Sequence, residues 1–274
     1  MSGSTSGSVP LVPRSSVSTA DEVAVPGPVP LWEVPAWRER FGVVAGITGR
    51  GTDATDPFDL GLWGDQPVRK SMTRWESFRR AFPRFPSFVL AHQVHGNTVL
   101  RHDRAVNGWT LLNSADGHAS SANGLLMLIT VADCVPIYLV DPKQRAIAIL
   151  HAGWRGTADH ILSQGVEMLK RIASVHSRDI VMHCGVAISG DAYEVGNEVL
   201  AAVDKPASVS GHSHLDLRGV LVQQARRLGI GAITTSSFCT ATRRDLFFSH
   251  RGSGGTDGRM VAYLGWPGAP SSSP

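Results

Sequence analysis

The segment from Leu125 to His160 places the strongest constraint on what this chain can fold into. It contains three short apolar runs separated by polar breaks, and we interpret each run as a buried strand. Cys134 follows the first run and His151 follows the third. Each of these side chains therefore lies at the end of a core strand, where a rigid scaffold holds reactive groups in fixed positions. The runs are Leu125 to Val131, Ile137 to Val140 and Ala146 to Leu150.

The two ends of the chain differ from its middle. Residues 1–30 consist largely of Ser, Gly, Thr, Pro and Val, and they offer little bulky side-chain surface to bury. We predict a disordered arm over 1–30, one domain over 31–266 and a disordered tail over 267–274. The arm has no charged segment followed by an apolar run, so we expect no secretory signal in it.

Composition and charge exclude several classes of protein. A formal net charge of +3, carried by dispersed basic residues, argues against a nucleic-acid partner. No apolar run approaches the roughly 20 residues that a membrane span requires. The three cysteines, Cys134, Cys184 and Cys239, cannot form a closed disulfide framework and fit a reducing cytoplasm. We expect a cytoplasmic protein acting on a small molecule, and we make no prediction of its oligomeric state.

Hydrophobic periodicity predicts a mixture of helices and strands along the rest of the chain. Several successive strands have no helix between them, which favours an α+β, layered α/β fold with mixed sheets covered by helices. We interpret 114–118 as a loop. Helices are predicted over 66–82, 157–172, 197–203 and 216–228, and strands over 43–47, 87–96, 97–101, 179–184, 232–236, 246–249 and 260–264.

Two loops carry arginines that can contact an anion. Arg50 lies in a loop, 49–53, whose glycines match neither a dinucleotide fingerprint nor a phosphate loop, but its guanidinium can grip an oxyanion. The segment from Arg251 to Arg259 is rich in glycine and basic. It is either a flexible connector or a contact for an anion or nucleotide, built from backbone amides and arginines.

One thiol and two imidazoles suggest a metal site. Cys134, His151 and His95 each follow a predicted strand, and three protein ligands leave the fourth position of zinc open, as catalytic sites require. Their separations are too long to be diagnostic, so a buried cysteine beside two hydrogen-bonded histidines remains the alternative. Copper fits less well than zinc, because no methionine closely follows Cys134 to act as an axial ligand. His212-Ser213-His214, the one His-x-His pair, lies in a polar stretch that we expect to be solvated.

Several short motifs together resemble the YfiH/DUF152 family. The resemblance extends from Gly42 to about Gly265, and HAGWRG after ADCVP at this interval is very specific. Members of that family are described as polyphenol oxidase or laccase-like proteins, purine nucleoside phosphorylases and peptidoglycan editing factors. The motifs are Gln93–Gly96, Ala132–Pro136, His151–Gly156, Tyr193–Gly196, Cys239-Thr240 and Phe247–Arg251 with Gly258-Arg259.

The resemblance implies a single-domain fold of the YfiH type with zinc held by His95, Cys134 and His151. It also implies that Arg155 and Arg50 lie near the site and that Asp133 lies beside the thiolate. We take Asp133, Arg155 and Arg50 as candidate catalytic residues. The candidate substrate-binding residues are Gln93, Arg251 and Arg259.

Three segments depart from the family pattern and make the substrate harder to predict than the metal. The usual Gly-Pro-Cys-Ile-Gly is Gly185-Val186-Ala187-Ile188-Ser189, the usual Asn-Leu-Gly is Asp59-Leu60-Gly61, and a common Tyr is His250. The metal triad is intact.

The leading functional hypothesis is a zinc-dependent purine nucleoside enzyme, by analogy with relatives that phosphorolyse adenosine, inosine, guanosine and methylthioadenosine and deaminate adenosine. The first alternative is an amidase that removes misincorporated Ser or Gly from UDP-muramoyl peptidoglycan precursors. The second is a non-catalytic zinc protein. A copper polyphenol oxidase comes last, because His₂Cys copper sites need an axial donor that the sequence does not supply.

Overall fold

The computed structural model describes residues 16–63 and 67–269. The predicted disorder of 1–15 and of 270–274, and the predicted beginning of a helix at residue 66, lie outside the described residues. Every helix within them is too short or too polar to span a lipid bilayer.

The described residues form sixteen strands and six α-helices. The strands are β1 (Ser16–Thr19), β2 (Val23–Val25), β3 (Leu31–Glu33), β4 (Val44–Thr48), β5 (Ser87–His92), β6 (Val99–His102), β7 (Gly108–Asn113), β8 (Gly117–Ser120), β9 (Leu125–Val131), β10 (Val135–Asp141), β11 (Ala146–Ala152), β12 (Val181–Cys184), β13 (Glu194–Gly196), β14 (His212–His214), β15 (Ala232–Thr235) and β16 (Met260–Trp266). The helices are α1 (Trp37–Phe41), α2 (Val68–Arg80), α3 (Trp154–Ala158), α4 (Ile161–Ile172), α5 (Asn197–Ala202) and α6 (Leu217–Arg227).

Two mixed sheets, each of seven strands in the described part of the chain, form the centre of the fold. The first sheet has the order β1-β15-β12-β10-β11-β8-β6, and the second has the order β2-β3-β4-β16-β9-β5-β7. Both contain parallel and antiparallel pairs: β10 runs antiparallel to β11, whereas β5 runs parallel to β9. Strands β13 and β14 form a separate hairpin.

The sheets pack face to face, and helices cover both outer faces. Tyr138 and Ile149 of the first sheet share one buried cluster with Met127 and Ala262 of the second. Helices α4, α5 and α6 pack on the outer face of the first sheet. Helix α2 lies on the outer face of the second sheet, where Trp75 and Phe78 are buried. This four-layer arrangement confirms the predicted α+β fold with mixed sheets under helices.

The folded part of the chain begins before residue 31, the predicted start of the domain. Residues 16–30 belong to the fold: β1 pairs with β15 at one edge of the first sheet, and β2 pairs with β3 at one edge of the second. These contacts are made chiefly by backbone groups and by the buried side chain of Glu22. Composition did not reveal them, because edge pairing requires little apolar surface.

Four local predictions differ from the structure, in whole or in part. The last two residues of the predicted 114–118 loop, Gly117 and His118, belong to the buried strand β8. The predicted strand over 246–249 is not a strand; Phe247 and Phe248 instead fill the space between the sheets. His212-Ser213-His214 forms β14, paired with β13, although both histidines are exposed as expected. The predicted helix over 157–172 is two helices, α3 and α4, with His160 in a left-handed conformation between them.

Candidate metal centre

Three segments from different parts of the chain bring His95, Cys134 and His151 together. His95 lies in the turn after β5, Cys134 in the tight connection between β9 and β10, and His151 near the end of β11. Their potential ligand atoms all lie within 4.8 Å of one another. His151 is buried, Cys134 is half-buried and His95 is exposed, so this His-Cys-His group could bind a metal ion with one side open to solvent.

The turn that presents Cys134 is fixed by its neighbour Asp133. Asp133 has a φ of 84°, in the left-handed region that residues other than glycine rarely adopt. Its carboxylate accepts hydrogen bonds from the Thr240 hydroxyl (2.5 Å), the Ser249 hydroxyl (2.7 Å) and the Arg251 amide (2.6 Å). These three donors hold the strained residue in place.

Asp116 connects the two histidines. No sequence motif had indicated it as a residue of the site. His151 donates from Nδ1 to Asp116 Oδ1 at 2.8 Å, and the amides of Val94, His95 and Gly96 donate to the same carboxylate. With Nδ1 protonated, Nε2 of His151 is left as the ligand atom. The one available signal was an acidic residue in the segment that precedes the central strands.

The group behaves as an ion pair when no metal is bound. Burial opposes charge on Cys134, but the charges and hydrogen bonds of His151 and His95 outweigh it and lower the pKa of the thiol to about 6. Burial likewise opposes charge on His151, yet the Cys134 thiolate and Asp116 raise its pKa to about 9. A thiolate is the form in which cysteine binds metals.

The close approach of the ligands depends on Gly153. A Cβ atom at this position would lie 3.1 Å from Cys134 Sγ and 3.2 Å from His95 Cδ2. Gly153 precedes α3 in an extended conformation, so its role here is to leave space and not to provide a special backbone angle.

The three candidate ligands line a cavity of about 680 Å³. Trp63 and His92 form one wall, with their ring centroids 4.9 Å apart, and the Trp63 side chain is largely exposed. Another wall is formed by residues 255–259 of the glycine-rich loop and by His250, which lies just before that loop. The cavity therefore offers aromatic rings on one side and loop backbone on another.

Two of the candidate substrate-binding residues line this cavity. Gln93 is held by its amide group, which bonds to the backbone N–H and carbonyl and to the hydroxyl of Thr130. Arg259 donates from Nη1 to the carbonyls of Asp257 and Gly258, which fixes the end of the glycine-rich loop.

The other three candidate arginines, Arg50, Arg155 and Arg251, lie near the site but do not line the cavity. Arg50 stacks on Phe248, donates to the Arg244 carbonyl at 2.9 Å and lies 3.4 Å from Asp257. Arg155 stacks on Trp154 at the start of α3. Arg251 lies over Tyr193 and lines a second pocket, together with Trp154.

The donor set fits a single metal ion. A thiolate, a neutral imidazole with a fixed tautomer and a second imidazole are donors that both zinc and copper accept. Among the described residues, His95, Cys134 and His151 form the one group of three or more such ligands. Those residues thus supply a centre for one ion and not a cluster.

Comparisons with known proteins agree with this architecture. Residues 47–267 match the family described as "Multi-copper polyphenol oxidoreductase laccase". The purine nucleoside phosphorylase YlmD of Geobacillus stearothermophilus is 32% identical over 252 residues, which cover 82% of this chain and 90% of that protein. The purine nucleoside phosphorylase YfiH of Escherichia coli is 30% identical over 246 residues, covering 84% of this chain and 97% of that protein.

The likeness extends to three dimensions. The crystal structure of YlmD from Geobacillus stearothermophilus superposes with a TM-score of 0.78 at 28% sequence identity, and covers 89% of this chain and 98% of that one. The predicted family resemblance is therefore confirmed by sequence and by fold. The chain belongs to the YfiH family, whose family model bears the description multi-copper polyphenol oxidoreductase laccase.

Proposed function

We propose that this protein is a zinc-dependent purine nucleoside phosphorylase. The observation that carries the proposal is the convergence of His95, Cys134 and His151 on one wall of a cavity large enough for a small-molecule substrate. Relatives that cover more than four-fifths of the chain carry the name purine nucleoside phosphorylase, which supports the choice of reaction.

Phosphorolysis transfers the ribosyl group from the base to phosphate. An oxygen of phosphate attacks C1′ as the bond from C1′ to the base breaks, and the departing base takes up a proton. The protein must therefore bind an anion next to C1′, hold the base and provide a proton donor. When bound, zinc supplies a Lewis-acid charge that stabilises the developing negative charge.

The residues around the cavity match these requirements. Trp63 and His92 offer ring faces against which a purine can stack. Arg259 and the loop amide of Thr256 are placed for anion contacts. His250, which is exposed and lines the cavity, is the proposed proton donor to the base.

Asp133 receives a different role from the one expected of it. Its two carboxylate oxygens already accept three hydrogen bonds, so it is poorly placed to exchange a proton with substrate. We assign it as a positioning residue for Cys134. Arg50 and Arg155 are proposed to contribute positive potential near the anion, since each stacks on an aromatic ring beside the site.

Adenosine deamination is the proposed second activity of the same centre. It requires water at the open side of the group, and the exposure of His95 beside the cavity provides that access. No contact in the described residues favours the amidase alternative, so UDP-muramoyl-Ser serves as a comparison substrate.

The experiment uses zinc-loaded protein incubated with adenosine or inosine, with and without phosphate. We expect adenine or hypoxanthine together with ribose 1-phosphate when phosphate is present, and inosine from adenosine in its absence. Cys134→Ala should abolish both products. Cys184→Ala is the matched control, because Cys184 is a buried cysteine of β12 outside the metal group. Base release that Cys134→Ala leaves intact would refute the proposal.

Copper is tested in parallel. Metal analysis of the purified protein and activity after loading with Zn²⁺ or Cu²⁺ identify the ion. Oxidation of a phenol by the copper-loaded protein, with no nucleoside turnover by the zinc-loaded protein, would replace the phosphorylase with the oxidase.

A further inference from the structure

The segment Ser16–Val25 closes an edge of both sheets, and we call it the N-terminal strap. Its first part, β1, pairs with β15, and its last part, β2, pairs with β3. Between these strands the strap inserts Glu22 into the protein, where only 2% of this residue is exposed. The strap lies before residue 47, where the match to the family begins.

Glu22 is a buried acidic residue with defined partners. Its Oε1 accepts from His183 Nε2 at 3.1 Å and from the Val186 amide at 3.0 Å. His183 is itself buried and bonds through Nδ1 to the Thr234 hydroxyl at 2.8 Å. Glu22 Oε2 is buried without a hydrogen-bond partner among the described residues. Burying a carboxyl oxygen without a hydrogen-bond partner costs free energy, so other contacts in the folded protein have to offset this cost.

The contact with Val186 leads towards the metal centre in two steps. Val186 lies in the loop that follows β12, and two residues later the amide of Ile188 donates to the Asp133 carbonyl at 3.0 Å. In the same loop the Ala187 carbonyl accepts from the Thr240 amide at 3.2 Å, and the Thr240 hydroxyl donates to the Asp133 carboxylate. The loop that Glu22 holds is therefore bonded directly to the Asp133 carbonyl and, through Thr240, to the Asp133 carboxylate.

The strap also holds the second loop that contacts Asp133. Asp21 accepts from the amide (2.5 Å) and hydroxyl (2.8 Å) of Ser237, and the Ala20 amide donates to the Thr235 carbonyl at 3.0 Å. Ser237 leads into Thr240 within the same loop. Two of the segments that contact Asp133 thus have an anchor in the strap.

We propose that Glu22 is a positioning residue whose insertion by the strap fixes Asp133 in its left-handed conformation and so sets the direction of Cys134. The proposal concerns the metal group that the proposed function uses, but it is a statement about protein geometry. It is therefore tested first without any metal.

The test compares two buried acidic residues. Glu22→Ala removes the anchor of the Val186 loop. Asp141→Ala is the matched control: Asp141 is fully buried, has one oxygen without a partner among the described residues, and lies at the end of β10 remote from Cys134. The readout is amide hydrogen exchange, measured by mass spectrometry in the metal-free proteins. Each variant is measured at the same number of degrees below its own unfolding midpoint.

We expect exchange of the Ile188 and Arg251 amides to be about tenfold faster in Glu22→Ala than in Asp141→Ala, because both amides donate to Asp133. Glu22→Gln keeps an oxygen for Val186 and should restore slow exchange. Equal exchange in the two alanine variants would overturn the proposal. If Glu22→Ala does not fold, Asp21→Ala decides: unchanged exchange at Ile188 and Arg251 overturns the proposal, and faster exchange supports it.

Zinc affinity, measured by chelator competition, provides the second readout. We expect Glu22→Ala to weaken zinc binding about tenfold more than Asp141→Ala does. A wild-type protein that binds no zinc would refute the proposed metal function alone, because the exchange measurement would still decide the role of Glu22.

Discussion

Asp116 and His151 are joined by a buried hydrogen bond of 2.8 Å between Oδ1 and Nδ1, and the same carboxylate holds the backbone of His95. One acidic side chain thus orients two of the three candidate ligands. Such outer partners of metal-binding histidines fix the ring and raise its basicity.

Replacing Asp116 with Asn should weaken metal binding more than it weakens the fold. Asparagine preserves the size of the side chain but removes its charge, and it no longer favours the tautomer with a proton on Nδ1 of His151. We expect zinc affinity to fall about 10- to 100-fold. Chelator competition measures this, and Asp141→Asn, at a buried acidic residue away from the site, is the control. Equal affinities for the two variants would contradict the role given to Asp116.

Zinc binding should depend steeply on pH. The raised pKa of His151, about 9, means that below pH 9 a proton must leave before the metal binds, whereas Cys134, with a pKa of about 6, is already a thiolate above pH 6. Affinity should therefore rise with pH by about tenfold per unit between pH 6 and 9, where one proton is released, and become flat above pH 9. Titration calorimetry in buffers of different ionisation enthalpy counts the protons. Binding that releases no proton at pH 7.5 would contradict the prediction, because Cys134 and His151 would then both be deprotonated in the metal-free protein.

Gly153→Ala should disturb the metal group without straining the backbone. The added Cβ would contact Cys134 Sγ and His95 Cδ2 at distances tighter than ordinary van der Waals contact, so one of these ligands must move. We expect at least about a tenfold loss of zinc affinity, since ligand geometry sets the affinity of such sites. Gly27→Ala is the control, because a Cβ there meets no atom within 4 Å. The prediction fails if the two variants bind zinc equally well.

The buried His118 should make the protein sensitive to acid. Burial, the dominant cause, and the neighbouring His102 lower the pKa of His118 to about 3, whereas an unfolded chain has the ordinary value near 6.5. As the pH falls below 6.5, His118 binds a proton in the unfolded state but remains neutral in the folded state. Stability then falls with pH by up to about 1.4 kcal/mol per unit down to the folded pKa.

His118→Asn removes this titration, so its free energy of unfolding should change less between pH 7 and 5 than that of the wild type. Denaturant unfolding at both pH values measures the difference. His176→Asn, at an exposed histidine, is the comparison, and it should follow the wild type. Parallel pH profiles for wild type and His118→Asn would contradict the prediction.

The sequence predicted the centre of the site better than its surroundings. Cys134 and His151 stand out because each follows a continuous apolar run, and such runs identify buried strands. Asp116 does not stand out, because Ser114-Ala115-Asp116-Gly117 has the composition of a turn, and strand β8 contains glycine, alanine and serine where bulky residues are usual. The pairing partners β11 and β6, and not intrinsic preference, make 117–120 a strand.

The N-terminal strap could not be predicted either, because distant parts of the chain hold it in place. Strand β1 consists of Ser, Val, Ser and Thr, all exposed, and it is held by backbone pairing with β15. Glu22 would be expected at the surface, and its burial depends on His183 and Val186, more than 160 positions away. Contacts over such separations cannot be deduced from local composition.

Strand β16, residues 260–266, lies in the interior of the second sheet between β4 and β9. During synthesis, β3-β4 and β9-β5-β7 remain two separate halves with open edges until this late segment has left the ribosome. The second sheet therefore cannot close until β16 has been made, and a ribosome stalled before residue 260 would present unpaired strand edges to chaperones or to other nascent chains.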